Sequence, residues 1–343
     1  MKIKKYIKLF SFLILVVQFV YVNQTLAQSK TGTTIGQFLK IEPSSRIAAM
    51  GNAGTSLSGE ATSSYYNPAS LGRLQRSDVQ FTYNQWLADI SYNYAIVALK
   101  VQSLGTFSLQ ATALNSGEIE VRTVEFEHGT GEKYTVTNFS LGLGYGMMLT
   151  DRVSIGMQIN YINESIWHSS LTTFGLNFGV QYEVEEGGLT LGASVSNFGP
   201  RAGYEGRDLY IDYDNNTSIN GDNDKLPAEL RTDKYSLPTV FRVGVSYPFQ
   251  FGKSHKVTIA ADAVHPNDNY EKVNVGAEWD MFGALSLRAG YRDLFLANSE
   301  GGMVFGAGAI YEFMPGYNIH FDYAYADYGR LEQAHRFTVG IEF

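Results

Sequence analysis

The sequence predicts an all-β fold: a transmembrane antiparallel β-barrel of about fourteen strands, with an N-terminal plug segment inside the barrel. Three observations predict it. The chain stops inside an alternating stretch, His335 to Phe343, where Phe337, Val339, Ile341 and Phe343 point to one side and Arg336, Thr338, Gly340 and Glu342 to the other. A terminal aromatic on a strand suits a barrel that its last strand must close, because assembly machinery reads that end. Period-two alternation recurs along most of the chain, and the connections between the alternating runs sort by length.

At the N-terminus, Lys2, Lys4, Lys5 and Lys8 precede an apolar run from Leu9 to Val22, and Thr25-Leu26-Ala27 supplies small residues for cleavage. Residues 1–27 therefore read as an export signal and Gln28 as the mature start. The run is short for a spanning helix and is interrupted by Gln18. Absence of cysteine excludes a lipid-anchored cysteine and any disulfide framework, so folding rests on strand pairing and apolar burial. The 35 Gly, 23 Tyr and 21 Phe fit strands with lipid on one face and a crowded polar lumen on the other. A net charge of −8, more acidic once the signal lysines leave, argues against nucleic acid.

Residues 28–76 show no strand period and read as the plug or hatch; residues 77–343 read as the barrel. Strands are expected near 77–86, 89–100, 103–114, 134–149, 151–165, 170–184, 188–198, 238–250, 255–265, 271–281, 284–292, 301–313, 316–326 and 334–343. Phe139, Leu141, Leu143, Tyr145 and Met147 interleave with Ser140, Gly142, Gly144 and Gly146, which shows the pattern at its cleanest. Tyr161, Tyr247, Tyr291, Tyr311 and Tyr325 are candidate interfacial residues. A β-sandwich would alternate in the same way. Loop parity separates the two: tight turns near 149–151, 185–188, 281–283 and 314–316 fall on even connections, and the longer 115–133, 199–237, 293–300 and 327–333 on odd ones. One odd connection, Trp86-Leu87-Ala88-Asp89, is short. With both termini periplasmic, the long loops face outward.

The N-terminal segment carries a specific pattern: Gly36 to Ile41, the stretch Arg46 to Ala53, and Tyr66-Asn67-Pro68-Ala69-Ser70-Leu71, followed by the hairpin from Asn84 to Tyr92. With weaker matches at Asn197 to Pro200, Leu237-Pro238 and the closing strand, the chain resembles the PorV/PorQ family, outer-membrane barrels of the type IX secretion system that are themselves similar to FadL barrels. The resemblance implies a 14-stranded barrel with an inward-folded plug, in the outer membrane of a Gram-negative, Bacteroidetes-type bacterium. It also implies non-enzymatic work in protein secretion, by binding or shuttling cargo or docking another secretion component. Two departures blur the subgroup: Gly59-Glu60 stands where an acidic pair is common, and Gly51-Asn52-Ala53 where Gly-Gly-Ala is usual.

The plug motif Arg46, Gly51, Asn67, Pro68 and Ala69 reads as structural: Asn67 can bond local backbone, Pro68 fixes a turn and Ala69 permits close approach to the wall. Tyr204, Tyr210, Tyr213 and Tyr235, set among polar residues of the 199–237 loop, form a candidate binding surface; a lid over the barrel is the equal alternative. The histidines at 128, 168, 255, 265, 320 and 335 lack metal-ligand spacing, and no nucleophile–base–acid order stands out, so neither catalysis nor a cofactor is expected. Asp212, Asp214 and Asn216 imitate the start of a calcium loop, but residue 217 is Thr and residue 223 is Asn where Gly and Glu are needed. Inward charges, Arg242, Arg288, Arg292, Lys272, Asp262, Glu278, Asp280 and Asp322, are expected to pair with one another and with the plug rather than line a permeation path. The rival function is a channel for hydrophobic small molecules. The expected partners are outer-membrane lipid, the barrel-assembly machinery and secreted cargo.

Overall fold

The computed structural model describes residues 31–87, 90–216, 218, 225–296 and 299–343. The expected signal, 1–27, and the mature start at Gln28 lie outside them. Fourteen antiparallel strands close into a barrel: β1 Asp78–Gln85, β2 Ser91–Val101, β3 Gly105–Glu120, β4 Lys133–Met148, β5 Val153–Ile166, β6 Ser169–Glu183, β7 Thr190–Phe198, β8 Val240–Phe251, β9 His255–Pro266, β10 Lys272–Met281, β11 Leu285–Leu294, β12 Met303–Met314, β13 Tyr317–Asp327 and β14 Gln333–Glu342. Closure satisfies every wall strand's backbone without an edge facing lipid.

The closing seam follows the expected register. Asp78 faces Glu342, Val79 faces Ile341 and Phe81 faces Val339. Beyond the strand, Ser77 and Phe343 exchange backbone hydrogen bonds of 3.0 and 2.9 Å, and the Phe343 ring stacks on Tyr317. Phe337, Val339, Ile341 and Phe343 point outward, whereas Arg336 and Thr338 are buried in the lumen. The same alternation runs around the wall, with β1 alternating buried and exposed at every residue. The outward set is apolar and meets lipid; the inward set is mostly polar or glycine, with an apolar patch from Tyr92, Tyr94, Ile96, Leu114, Ile162 and Leu171.

Loop parity holds less cleanly than the sequence suggests. Besides the short connection after β1, the one between β5 and β6 is only Trp167-His168. Here the chain's length lies in the strands: β3 and β4 each run 16 residues, more than the roughly 9–11 that a bilayer requires, so this side of the wall projects past the rim. The expected loop 115–133 therefore shrinks to 121–132. The 199–237 loop also has structure that its polar composition hid: Tyr210–Tyr213 pairs with Leu226–Glu229, and Glu205-Gly206 adds to the outer end of β6.

Residues 34–74 lie among the inward-facing side chains, in one short helix, Ser45–Ala49, and three 3-10 turns, Gln37–Lys40, Ala61–Tyr65 and Pro68–Arg73. Ser44 caps the helix, accepting from the Ile47 N–H at 3.1 Å. Ile47, Ala49, Met50, Ala53 and Ala69 have no solvent exposure at all, and Phe38, Leu39 and Leu71 of the same segment form an apolar core with Tyr92, Tyr94, Ile96, Ile162 and Leu171 of the wall.

Candidate functional site

The sequence motifs of the inner segment converge on the wall. Asn67 caps the turn Pro68–Arg73, its side-chain oxygen accepting from the Ala69 N–H at 3.0 Å, with Pro68 in the first turn where its missing N–H costs nothing. The Asn67 amide donates to the carbonyls of Thr55 at 2.8 Å and of Val180, on β6, at 3.0 Å. Pro68 fits because the facing wall residue is Gly156: a Cβ there would drive into the Pro68 carbonyl. On the other side of the lumen, Gly51 lies between the backbones of β10 and β11, in the left-handed region at φ 69°. Asn52 follows at φ 64°, which accounts for the departure from Gly-Gly-Ala: asparagine is the side chain that best tolerates this conformation.

Arg46 anchors the segment electrostatically. Its guanidinium grips Glu278 with two bonds of 2.7 Å and also donates to the Ser58 carbonyl at 3.1 Å. Glu278 in turn accepts from Arg288 at 2.7 Å, and Arg288 reaches Asp322 at 2.5 Å. His320 stands 3.2 Å from Asp322, while Asp78 accepts from the Ala61 N–H at 2.7 Å. Asp262 takes the backbone N–H and hydroxyl of Thr55 at 2.9 and 2.6 Å. Arg242 binds Ser196 at 3.0 Å, Asp280 pairs with Lys256 at 3.0 Å, and Lys272 and Arg292 both meet Asp293, a partner the sequence reading left in a loop. Most of the inward charges are thus paired with another charge or with the inner segment, as buried charges require, while Arg242 bonds a wall serine and lies over the Tyr65 ring.

This packing separates two chambers. The turn-end chamber, about 440 Å³, is bordered by Arg46, Glu60, Glu278, Arg288 and His320. The loop-end chamber, about 450 Å³, has Asn52 and Tyr66 beneath it and combines apolar Phe38, Ile41, Trp86 and Leu114 with Arg242, Lys272 and Arg292. Arg292 lies over the Tyr328 ring at 4.1 Å, and its Nη1 and the Asn138 Oδ1 have no protein hydrogen-bond partner. Between the chambers, Ile47, Met50, Ala53 and Tyr66 form a buried layer. At the loop end the inner segment has a separate fastening: Asp268 accepts from Lys40 at 2.9 Å and from Thr34 and Gln37 at 2.8 Å each. Burial would raise the Asp268 carboxyl, but the bonds from Gln37, Lys40 and Thr34 outweigh it and hold the group below its ordinary value.

The loop tyrosines divide. Tyr210, Tyr213 and Tyr235 are exposed, while Tyr204 is half-buried and donates to Glu164 at 3.1 Å. Asp214 accepts from the Asn216 N–H at 2.8 Å in a local turn; residues 217 and 223, which decide against a calcium loop in the sequence, lie outside the described residues.

Comparison with known proteins agrees with this architecture. The sequence model of a family described as "Type IX secretion system protein PorV" matches residues 24–220, more than half of the chain. No curated protein matches significantly. Among solved structures, the monoaromatic hydrocarbon channel CymD aligns with a TM-score of 0.55 at 14% identity, over 88% of this chain and 97% of that one. The Pseudomonas putida toluene transporter TodX aligns with 0.53 at 12% identity, over 86% and 96%, and the Ralstonia pickettii toluene transporter TbuX with 0.52 at 11%, over 88% and 98%. At such identities these structures establish the shared outer-membrane barrel fold, and nothing of the ligand.

Proposed function

We propose a function from one premise: this chain belongs to the PorV family of type IX secretion system proteins. It works in the outer membrane as a non-enzymatic barrel that binds secreted cargo, or docks another secretion component, through the loop end facing the cell exterior. Residues 28–76 serve as a fixed plug, and the export signal 1–27 is removed. The observation that carries this reading is the buried layer across the lumen, clamped by the Arg46–Glu278 fork and by Asn67, with paired charges on both sides. A lumen so filled puts the working surface at the loops, where Tyr210, Tyr213 and Tyr235 stand exposed.

A second reading, uptake of a hydrophobic small molecule, draws on the loop-end chamber, whose apolar side and unpartnered Arg292 Nη1 would suit a ligand. Against it, the inward wall positions are mostly glycine, serine, asparagine and charged side chains, which do not make a continuous apolar tunnel.

Deleting the gene and measuring both the secreted proteome and uptake of labelled toluene and fatty acids separates the readings. The expected result is loss of secreted proteins with uptake unchanged. Normal secretion with lost uptake overturns the secretion reading in favour of the channel.

A further inference from the structure

Outside the chambers, the projecting strands and the long loop enclose an open cleft of about 990 Å³. Tyr134 of β4, Trp167 of the β5–β6 turn and Tyr204 of the loop supply its aromatic surface. Trp167 is held in the left-handed region at φ 53°, a conformation that two-residue hairpins normally give to glycine or asparagine. Its side chain is nonetheless 42% exposed; the indole stacks on the His168 ring at 4.3 Å and lies 6.0 Å from the Tyr134 ring at a tilt of 38°. His168 is itself fixed, with Nδ1 2.9 Å from Asp208 and Nε2 bonded by Arg207. The aromatic lining is held in place before any ligand arrives, and it is open to water.

Charge and backbone narrow the occupant. The carboxylates that line the cleft are each matched: Glu118 by Lys133 at 2.7 Å, Glu120 by Arg122 at 3.9 Å, and Asp208 by Arg207 at 3.9 Å. Three negative charges meet three positive ones, so the site attracts neither an anion nor a cation. The carboxylates still keep spare lone pairs, and the cations spare N–H donors, for groups that both donate and accept. The backbone is already paired. Glu118 to Glu120 of β3 pair with Lys133 to Thr135 of β4, the Val121 N–H donates to the Glu132 carbonyl at 2.9 Å, and Ser169-Ser170 pair with Glu205-Gly206. The edge of β3 left unpaired beyond Asn115 faces the β2 side, so among the described residues the strand edges beside the cleft give an extended polypeptide nothing to add to. What is left is an aromatic surface rimmed by balanced polar side chains. A pyranose ring suits those terms, because its C–H face packs on an aromatic ring and its hydroxyls both donate and accept. We propose that this cleft binds an uncharged oligosaccharide, with one sugar ring packed against Trp167 and neighbouring hydroxyls bonded to the Glu118–Lys133 and Glu120–Arg122 pairs. The volume stands at the upper end of ordinary ligand sites, roughly 300–1,000 Å³, and so takes several rings rather than one. The inference goes beyond the secretion reading and does not depend on it.

The test uses the full-length protein in a zwitterionic detergent without a sugar headgroup, and titration calorimetry with four neutral probes: maltoheptaose, cellohexaose, mannohexaose and chitohexaose. A neutral Thr–Val peptide and an anionic hexagalacturonate serve as contrasts. At least one neutral oligosaccharide is expected to bind, with an affinity that added salt leaves unchanged and that exceeds those of both contrasts. Glycine suits the turn better than tryptophan, so Trp167→Gly preserves the fold, checked by heat-shifted gel mobility, and is expected to weaken binding by roughly fivefold or more. Tyr134→Ala, on a strand paired on both sides, is expected to weaken it in the same direction. Failure of all four neutral probes, a steep loss of affinity with salt, equal binding of the peptide or of hexagalacturonate, or an unaltered affinity in Trp167→Gly overturns the proposal.

Discussion

The two ends of the inner segment are held by different physics. Near the turn end, Arg46 enters a buried lattice in which Glu278 serves two guanidinium groups and Arg288 serves two carboxylates. At the loop end, Lys40 reaches Asp268 from a position one-third exposed, and the neighbouring chamber retains unpartnered polar atoms. A buried charge stripped of its partner is costly, while a partly solvated one is cheap to release. Asp268 is itself 1% exposed, but its one cationic partner, Lys40, is solvated, whereas Glu278 faces two guanidinium groups; the loop-end clip is therefore the weaker of the two fastenings.

The strongest challenge to this contrast is Arg46→Ala. Glu278 keeps Arg288 but loses its two-pronged partner, and the Ser58 carbonyl loses a donor; the expected loss is about 3–5 kcal/mol of stability, read as a lower thermal midpoint in detergent. A midpoint unchanged from the parent would show that the lattice does not secure the segment. Asn67→Ala comes next, removing a turn cap and two bonds to carbonyls, for an expected loss of about 2 kcal/mol in the same measurement. An effect as large as that of Arg46→Ala would move the anchor from the charge lattice to the backbone cap.

The smallest effect belongs to Asp268→Asn, at most about 1 kcal/mol, seen as faster amide exchange around Thr34 to Lys40 with little change in global stability. The same clip sets a pH dependence. Because the Asp268 carboxyl is held below its ordinary 3.8, its contribution is complete above that value and is lost as pH falls through the lower, folded value. Protection factors in this stretch, with the intrinsic pH dependence of exchange divided out, should fall on acidification below about pH 4 in the parent and remain flat in Asp268→Asn. A pH response that persists in the variant would assign it to another group.

Much of the wall was legible in the residues. The number of strands, the pairing of β1 with β14 and the outward set Phe337, Val339, Ile341 and Phe343 follow from a two-residue period and from the way a barrel must close. Arg46, Gly51, Asn67, Pro68 and Ala69 also stood out, yet the partners that explain them did not. Trp167 gave no signal: a tryptophan in a hairpin turn contradicts turn preferences, and only its bracing by His168 accounts for it. The projection of β3 and β4 was hidden as well, since their outer ends mix glutamate, glycine and threonine in a composition that reads as loop.

Alternation is a local property, encoded in consecutive side chains, and so the sequence alone determined the class, the strand order and the inward and outward faces. Which inward groups meet is not local. Arg46 and Glu278 are separated by 232 positions, and Lys40 and Asp268 by 228. Only barrel curvature and the path of the inner segment bring them within bonding distance, so the division into a stronger and a weaker fastening was decided by the tertiary structure.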